Sequence, residues 1–252
     1  MHEKNDYALV TGASRGIGKA IAIQLANDGF NLLLHYNQNI EKANQVKAEI
    51  ESIGRQAHLI QGDFNSSEGI NEFIGNIKEM LIQDSNVSLH TIVHNAGHAT
   101  SNGFGEVDYD EFDRLFNANV KAPYFITQSL IGFIASNGRI INLSSGVTRI
   151  VFPYMMIYSM TKGAINTMTF TLAKELGEKG ITINSVMPGI IDTDSTANWL
   201  HTEEGQENAK NMSALKREGQ PEEIANVVSF LASEKASFIT GHNMDVTGGS
   251  HL

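Results

Sequence analysis

Residues 7–18 read YALVTGASRGIG, which is a short apolar run, a glycine-rich loop and the beginning of a helical pattern. Glycine lets the backbone turn tightly and approach a ligand without a Cβ in the way. The first turn of a helix has free N–H groups at the positive end of the helix dipole, so it attracts phosphate. We therefore predict a dinucleotide-binding loop between a strand and a helix. An ordinary tight turn is the alternative, and the order strand, loop, helix disfavours it.

Short apolar runs that predict strands alternate with longer helical patterns along the rest of the chain. Strands of this kind, apolar on both faces and separated by helices, are typical of a parallel sheet that is covered on both sides. We predict an α/β fold with a single domain over 1–252, a Rossmann-type doubly wound parallel sheet of about seven strands with helices on both faces. The predicted strands are 7–11, 31–35, 57–61, 89–94, 139–143, 181–187 and 243–246. The predicted helices are 16–29, 40–54, 66–84, 110–135 with an interruption near Pro123, 155–178 and 221–232.

Composition excludes several classes of function. The formal net charge of -10 repels phosphate backbones, so we expect no nucleic-acid partner. The chain has no cysteine, which excludes disulfides, thiolate metal sites and cysteine nucleophiles. No apolar run approaches the roughly 18–20 residues that a membrane span needs, and the first residues do not resemble a secretory signal. We therefore expect no membrane association and a cytoplasmic location.

Residues 192–220 are polar, lack strand character and follow a predicted strand. In α/β folds, ligands bind beyond the carboxyl ends of the strands. We interpret this segment as a substrate lid, and an ordinary surface insertion is the alternative.

The end of the second predicted strand indicates which dinucleotide is bound. A site selective for NAD usually has an acidic residue there, about 20 residues past the glycine loop, to bind the ribose 2′-OH. Here residues 35–39 read HYNQN, and the first acid, Glu41, falls in the next predicted helix. The guanidinium of Arg15 suits a 2′-phosphate, with Ser14 and Asn37 as hydrogen-bond donors. We predict NADPH/NADP+ rather than NADH; a solvated surface charge is the alternative for Arg15.

Tyr158 and Lys162 share one face of a predicted helix because they are four residues apart. A nearby cation lowers the pKa of a phenol, which makes it a better proton shuttle near neutral pH. The four-residue spacing alone is weak evidence for a catalytic pair, since many helices contain it by chance. Polar and glycine residues at the ends of successive predicted strands strengthen the prediction of a catalytic site, since parallel strands end at one edge of the sheet. These residues are Ser144, Ser145, Asn95-Ala96-Gly97 and Pro188-Gly189.

Together with Asp63, Asn119, Thr193 and the segment 239–249, these motifs resemble the short-chain dehydrogenase/reductase family over nearly the whole chain, in particular its 3-oxoacyl-[acyl-carrier-protein] reductase-like ketoreductases. The resemblance implies that Tyr158 exchanges a proton with the substrate oxygen and that Lys162 binds the nicotinamide ribose and lowers the pKa of the phenol. It implies that Ser145 hydrogen-bonds the carbonyl oxygen and that Asn119 holds a water beside Lys162. Asp63 and Phe64 would flank the adenine. The implied cofactor-binding set is Gly12, Ser14, Arg15, Gly16, Ile17, Gly18, Tyr36, Asn37, Asp63, Phe64, Asn95, Ala96, Gly97, Tyr158, Lys162, Pro188, Gly189, Ile191 and Thr193.

The resulting expectation is an NADPH-dependent oxidoreductase that reduces a ketone, of 3-oxoacyl or specialised-metabolite type, to a secondary alcohol. A catalytically silent NADP(H)-binding regulator on the same fold is the main alternative, but a regulator has no need for the intact set of Asn119, Ser145, Tyr158 and Lys162. An epimerase or dehydratase of the extended family is a further alternative, which longer chains and another glycine spacing characterise.

The resemblance also bears on partners. Relatives that act on acyl-carrier protein show basic residues just before the fifth strand, whereas residues 131–138 here have no charge and only Lys179 lies nearby. We therefore expect a small-molecule ketone or acyl thioester and regard docking of an acyl-carrier protein as doubtful. The family likeness implies a homotetramer or a dimer. His90, His94 and His98 are spaced by four, but a strand and a turn should separate them, so we predict no metal site.

Overall fold

Seven parallel strands form one sheet in the order β3-β2-β1-β4-β5-β6-β7. The computed structural model describes residues 5–84 and 87–251. The chain starts in the middle of the sheet, builds one half outward from β1, and then crosses to β4 to build the other half. This is the predicted doubly wound α/β arrangement, with its switch point between β1 and β4. The strands are β1 (Asp6–Val10), β2 (Asn31–Tyr36), β3 (Ala57–Gln61), β4 (Ser88–His94), β5 (Ile134–Leu143), β6 (Thr182–Pro188) and β7 (Asn243–Val246).

Helices cover both faces of the sheet. Alternate residues of each strand point to opposite faces, so Ala8 and Val10 of β1 pack in one core with α1 and α9, while Leu9 packs in the other with α3 and α5. The helices are α1 (Gly16–Asn27), α2 (Ile40–Ser52), α3 (Ser67–Gln83), α4 (Tyr109–Phe116), α5 (Ala122–Leu130), α6 (Met156–Gly177), α7 (Ala197–Leu200), α8 (Glu203–Met212) and α9 (Pro221–Ala232).

The segment predicted as one helix over 110–135 differs most from expectation. The predicted interruption is present, but it is a π-helical turn at Asn117–Lys121, between α4 and α5. Pro123 lies in the first turn of α5, directly after the π-helical turn, and has no N–H to donate to the helical carbonyls that precede it. The end of the predicted helix was wrong, because Ile134 already begins β5, where it pairs with Leu89 of β4.

Residues 192–220 contain the short helices α7 and α8, and Ile191 pairs with Gly219 where the segment leaves and rejoins the body of the fold. Among the described residues, no helix is both long and apolar enough to cross a bilayer.

Candidate functional site

The glycine loop is held in a fixed shape by the loop that follows β4. Gly12 has a φ of +67°, a conformation that L side chains rarely adopt. The side-chain amide of Asn95 donates hydrogen bonds to the carbonyl oxygens of Thr11 at 2.9 Å and Gly12 at 3.1 Å. The hydroxyl of Thr11 in turn accepts hydrogen bonds from the backbone N–H groups of Asn95 and Ala96, both at 2.9 Å. Asn95 and Ala96 therefore hold the backbone of the glycine loop in its conformation.

The first turn of α1 is open to an anion. Its N-cap residue, Arg15, makes no side-chain capping bond, so the N–H groups of this turn are left for another acceptor. Thr193, from the segment after β6, lies over the loop, since a Cβ on Gly16 would meet its methyl group at 3.4 Å. A helix N-terminus without a side-chain cap, directly behind a glycine loop, fits the pyrophosphate of a dinucleotide.

His35, at the end of β2, ties the glycine loop to the next strand. Its Nδ1 accepts a hydrogen bond from the N–H of Gly12 at 2.9 Å, and its Nε2 lies 3.0 Å from the carbonyl oxygen of Gly62. Only the neutral imidazole with its proton on Nε2 satisfies both partners. The ring of Phe64 stacks on His35 with centroids 4.1 Å apart and is buried. The ring of Phe64 thus lies in the core, so its predicted contact with an adenine, which remains a prediction, would use its backbone.

No carboxylate stands at the end of β2. Tyr36 ends the strand, and Glu41 lies inside α2 as expected. The side-chain amide of Asn37 donates to Asp63 at 3.3 Å, and the same carboxylate oxygen accepts two hydrogen bonds from Asn65. Asp63 is thus engaged with its own loop, which brings the ends of β2 and β3 together.

Ser145 and Tyr158 meet beyond the carboxyl end of β5. Ser145 begins the short turn after this strand, and its side chain accepts a hydrogen bond from the N–H of Val147 at 3.3 Å. Tyr158 lies in the first turn of α6 and is half-buried. Burial raises the pKa of Tyr158 to about 12, and hydrogen bonding to the side chain of Ser145 opposes this rise. Tyr158 is therefore a protonated phenol at neutral pH.

Lys162 lies one helical turn after Tyr158, with its Nζ 5.5 Å from the centroid of the tyrosine ring. The ammonium group donates a hydrogen bond to the carbonyl oxygen of Leu143 at 2.7 Å, and burial lowers the pKa of Lys162 to about 8. The predicted lowering of the phenol pKa by this lysine stays a prediction, since the causes that act on the pKa of Tyr158 here are burial and hydrogen bonding to Ser145. The ammonium is directed at Leu143, and the cost of burying a phenolate exceeds what the hydrogen bond with Ser145 offsets.

Asn119 lies in the π-helical turn and is buried. Its amide group donates to the carbonyl oxygen of His98 at 2.9 Å and to the hydroxyl of Thr161 at 3.0 Å, and its oxygen accepts from the N–H of His98 at 3.1 Å. Thr161 in turn donates to the carbonyl oxygen of Tyr158 at 2.7 Å. Asn119 therefore connects the loop after β4 to the turn of α6 that carries the tyrosine. Both amide hydrogens of Asn119 are engaged in these bonds. The water that this residue is predicted to hold, which remains a prediction, would therefore have to bind another of its atoms.

The remaining predicted residues lie along the same edge of the sheet. Gly97 passes over the centre of the site, since a Cβ there would meet Asn119 at 2.7 Å and the Nζ of Lys162 at 3.8 Å. Gly189 packs equally closely on the backbone of Thr247, and Pro188 ends β6. The carboxyl ends of β1, β4, β5 and β6 thus bring the predicted cofactor-binding residues and the predicted catalytic residues together.

The three histidines spaced by four do not converge. The Nε2 of His94 lies 2.8 Å from the hydroxyl of Thr127, whereas the Nδ1 of His90 lies 2.9 Å from that of Thr91. Within residues 5–84 and 87–251, no three His, Asp or Glu side chains are grouped as metal ligands.

Comparison with known proteins agrees with this geometry. Residues 12–251 match the family model described as Enoyl-(Acyl carrier protein) reductase. A 3-oxoacyl-[acyl-carrier-protein] reductase of Staphylococcus epidermidis is 37% identical over 250 residues, which cover 98% of this chain and 100% of the relative. A solved short-chain dehydrogenase/reductase of Serratia marcescens is 30% identical with a TM-score of 0.89, and the match covers 98% of both chains. The chain belongs to the short-chain dehydrogenase/reductase family.

A further solved structure is similar to this short-chain dehydrogenase/reductase. The angucycline C-6 ketoreductase LanV, with bound NADP, is 35% identical with a TM-score of 0.91, and the match covers 98% of each chain. This short-chain dehydrogenase/reductase is an NADP-dependent oxidoreductase. The uncapped terminus of α1 and the lack of an acid at the end of β2 fit that cofactor.

Two features of the site escaped the sequence analysis. His35 was placed in a strand without a role, although a polar residue in the apolar run NLLLHY is a usable signal. The ion pair between Lys42 and Asp194 had no signal at all, because its partners are 152 residues apart. Sequence reasoning could find neither partner without knowing that α2 and the segment after β6 face each other.

The buried His35 predicts loss of stability in acid. Burial lowers the pKa of His35 to about 4, while an unfolded chain titrates near 6.5. Between these values the unfolded state binds a proton that the folded state does not, so the free energy of unfolding falls as the pH is lowered from 6.5 to 4. The loss from this group is about 3 kcal/mol, measured by urea unfolding across that range.

In His35→Asn, which keeps a hydrogen-bond acceptor for Gly12, the slope of stability against pH should decrease by up to one proton. His242→Asn, at an exposed position, should keep the wild-type slope. A wild-type stability that is level between pH 6.5 and 4 would contradict the account of His35.

Proposed function

We propose that this enzyme reduces an apolar, specialised-metabolite ketone with NADPH and that Tyr158 donates the proton. The observation that carries the proposal is the placement of Ser145 beyond the end of β5 and of Tyr158 in the first turn of α6, with the Nζ of Lys162 5.5 Å from the centroid of the tyrosine ring. When bound, NADPH supplies the hydride. Ser145 and Tyr158 would hold the ketone oxygen between two hydroxyl groups, and the proton of Tyr158 would pass to that oxygen as the carbon is reduced. Lys162 would bind the nicotinamide ribose, and Arg15, Ser14 and Asn37 would face the 2′-phosphate.

Exposed apolar side chains at the same edge of the sheet favour an apolar substrate. Phe104 follows β4, Val151 follows β5 and Trp199 follows β6, and all three are exposed. Exposed apolar groups gathered at one part of a surface mark ligand or partner sites. Residues 192–220, which carry Trp199, would act as the substrate lid. The angucycline C-6 ketoreductase among the similar structures supports a ketone of angucycline type.

The surface expected to dock an acyl carrier has little outward positive charge. Residues 131–138 are uncharged, and the next residue, Arg139, is buried, with its guanidinium donating to the carbonyl oxygens of Asn137 and Gly138. Lys179 is exposed nearby. A single cation gives weak steering toward an acidic protein, which supports a free small molecule over a carrier-bound thioester.

The substrate class is tested by the rate of NADPH oxidation with aromatic polyketide-type ketones, diketones, quinones and one 3-oxoacyl chain presented free, on coenzyme A and on acyl-carrier protein. We expect kcat/KM to be at least about tenfold higher for the aromatic ketones, since burial of one aromatic ring contributes about 1.5–3 kcal/mol. A preference for the carrier-bound thioester would contradict the substrate assignment. NADPH binding without turnover of any ketone would favour the regulator instead.

We further propose a cytoplasmic homotetramer, or a dimer. Phe170 on α6 and Phe238 just before β7 are highly exposed. Aromatic rings on the outer surface of two neighbouring elements are typical of subunit interfaces.

A further inference from the structure

An ion pair connects the two halves of the fold across the carboxyl edge of the sheet. Lys42 lies in the first turn of α2, where its N–H is fixed by the side chain of Asn39 at 2.9 Å. Its Nζ donates a hydrogen bond to the carboxylate of Asp194, which follows β6. The helix α2 belongs to the half built from β1 to β3, whereas Asp194 belongs to the half built from β4 to β7. The pair therefore spans the region above the glycine loop.

The carboxylate of Asp194 lies in the field of two cations. The hydrogen bond and the charge of Lys42, with a smaller effect from Arg15, hold the pKa of Asp194 below its usual value. Arg15 is the residue that would face the 2′-phosphate. A Cβ on its neighbour Gly16 would meet Thr193, the residue before Asp194, at 3.4 Å, so the two backbones lie close together. Lys42, Arg15 and Asp194 thus form one electrostatic group at the mouth of the glycine loop.

We propose that Lys42 is a further specificity residue for the cofactor's 2′-phosphate, and that the carboxylate of Asp194 competes with this phosphate for Lys42 and Arg15. The inference rests on the proposed placement of the 2′-phosphate at Arg15. A phosphate monoester carries nearly two negative charges at neutral pH and has three acceptor oxygens, whereas the carboxylate has one charge and two oxygens. The phosphate is the stronger partner for a lysine and an arginine together.

The ion pair is weak enough to be exchanged. The side chains of Lys42 and Asp194 are 42% and 52% exposed, so water screens their attraction. An exposed pair of this kind contributes about 0–1 kcal/mol, and its displacement lowers phosphate affinity by no more than about five-fold. Asp194 follows the residue that covers the glycine loop, so binding of the phosphate releases the first residues of the 192–220 segment from α2. NAD+, which lacks the phosphate, leaves the pair in place.

The experiment compares dissociation constants of NADP+ and NAD+ for the full-length protein by titration calorimetry. Lys42→Gln is expected to weaken NADP+ about five-fold and to leave NAD+ unchanged. Asp194→Asn is expected to tighten NADP+ by about two- to five-fold, again without effect on NAD+. In the variant that combines Lys42→Gln with Asp194→Asn, the tightening of NADP+ binding caused by Asp194→Asn should be smaller. The reason is that Lys42, one of the two cations that this substitution frees, is absent.

Lys47→Gln and Glu51→Gln are the matched controls. They remove the same charges from an exposed ion pair further along α2, toward its C-terminus, and they should leave both dissociation constants unchanged. Equal effects of Lys42→Gln on the two nucleotides, or no tightening in Asp194→Asn, would overturn the inference. Arg15→Gln separates the two proposals. If it weakens NADP+ selectively while Lys42→Gln does not, the role of Lys42 fails and the Arg15 site stands; if neither does, both fail.

Discussion

Tyr158→Phe removes one hydroxyl group and is expected to lower kcat for ketone reduction by roughly 10²–10⁴-fold, the range typical for loss of a general acid. The aromatic ring remains, so the packing of the side chain and the position of Lys162, with Nζ 5.5 Å from the ring centroid, are retained. In the wild-type protein this phenol carries its proton at neutral pH, as a free tyrosine does, and burial raises its pKa further, to about 12. The variant therefore lacks only the group that supplies the proton.

The measurement is steady-state NADPH oxidation together with the dissociation constant of NADPH from quenching of protein fluorescence. We expect turnover to fall while NADPH affinity changes little. Tyr109→Phe removes the same hydroxyl from an exposed tyrosine at the start of α4, and it should behave as wild type. Turnover of Tyr158→Phe near the wild-type rate would show that the proton comes from another group.

Gly18→Ala is expected to disrupt cofactor binding by distorting the glycine loop. A Cβ at this position would lie closer than 3.0 Å to the carbonyl oxygen of Gly12 and to the side-chain amide of Asn95. These two groups are hydrogen-bonded to each other at 3.1 Å, so neither can move without breaking the bond that holds the glycine loop in shape. Overpacking of this kind costs about 1–3 kcal/mol. We expect NADPH affinity to fall by roughly tenfold to 100-fold and the free energy of unfolding to fall as well.

Gly75→Ala is the matched control, because this glycine lies within α3 and a Cβ there would have no neighbour within 4 Å. It should raise the free energy of unfolding by up to about 1 kcal/mol, since alanine is the better helix former, and should leave NADPH affinity unchanged. NADPH titration and urea unfolding of both variants provide the comparison. If Gly18→Ala and Gly75→Ala behave alike, the steric account of the loop is wrong.

The pattern of apolar residues predicted all seven strands, since each is a short apolar run, although only the five central strands are mainly buried and the edge strands β3 and β7 are partly exposed. The exception was the start of β5, where Ala135, Ser136, Asn137 and Gly138 have no strand character in sequence. This part is a strand because Ile134 pairs with Leu89 of β4. The π-helical turn at Asn119 was likewise unpredictable, because its hydrogen bonds go to His98 and Thr161 on other elements.

The sequence by itself determined the order of the strands and helices, the glycine loop and the four-residue spacing of Tyr158 and Lys162, because these depend on local periodicity and on residue type. Only the tertiary structure decided the direction of the pKa shifts, since burial raises the pKa of the tyrosine and lowers that of the lysine. It also decided that Lys42 meets Asp194. Desolvation and contacts between distant segments arise only when the chain is packed, and no local pattern encodes them.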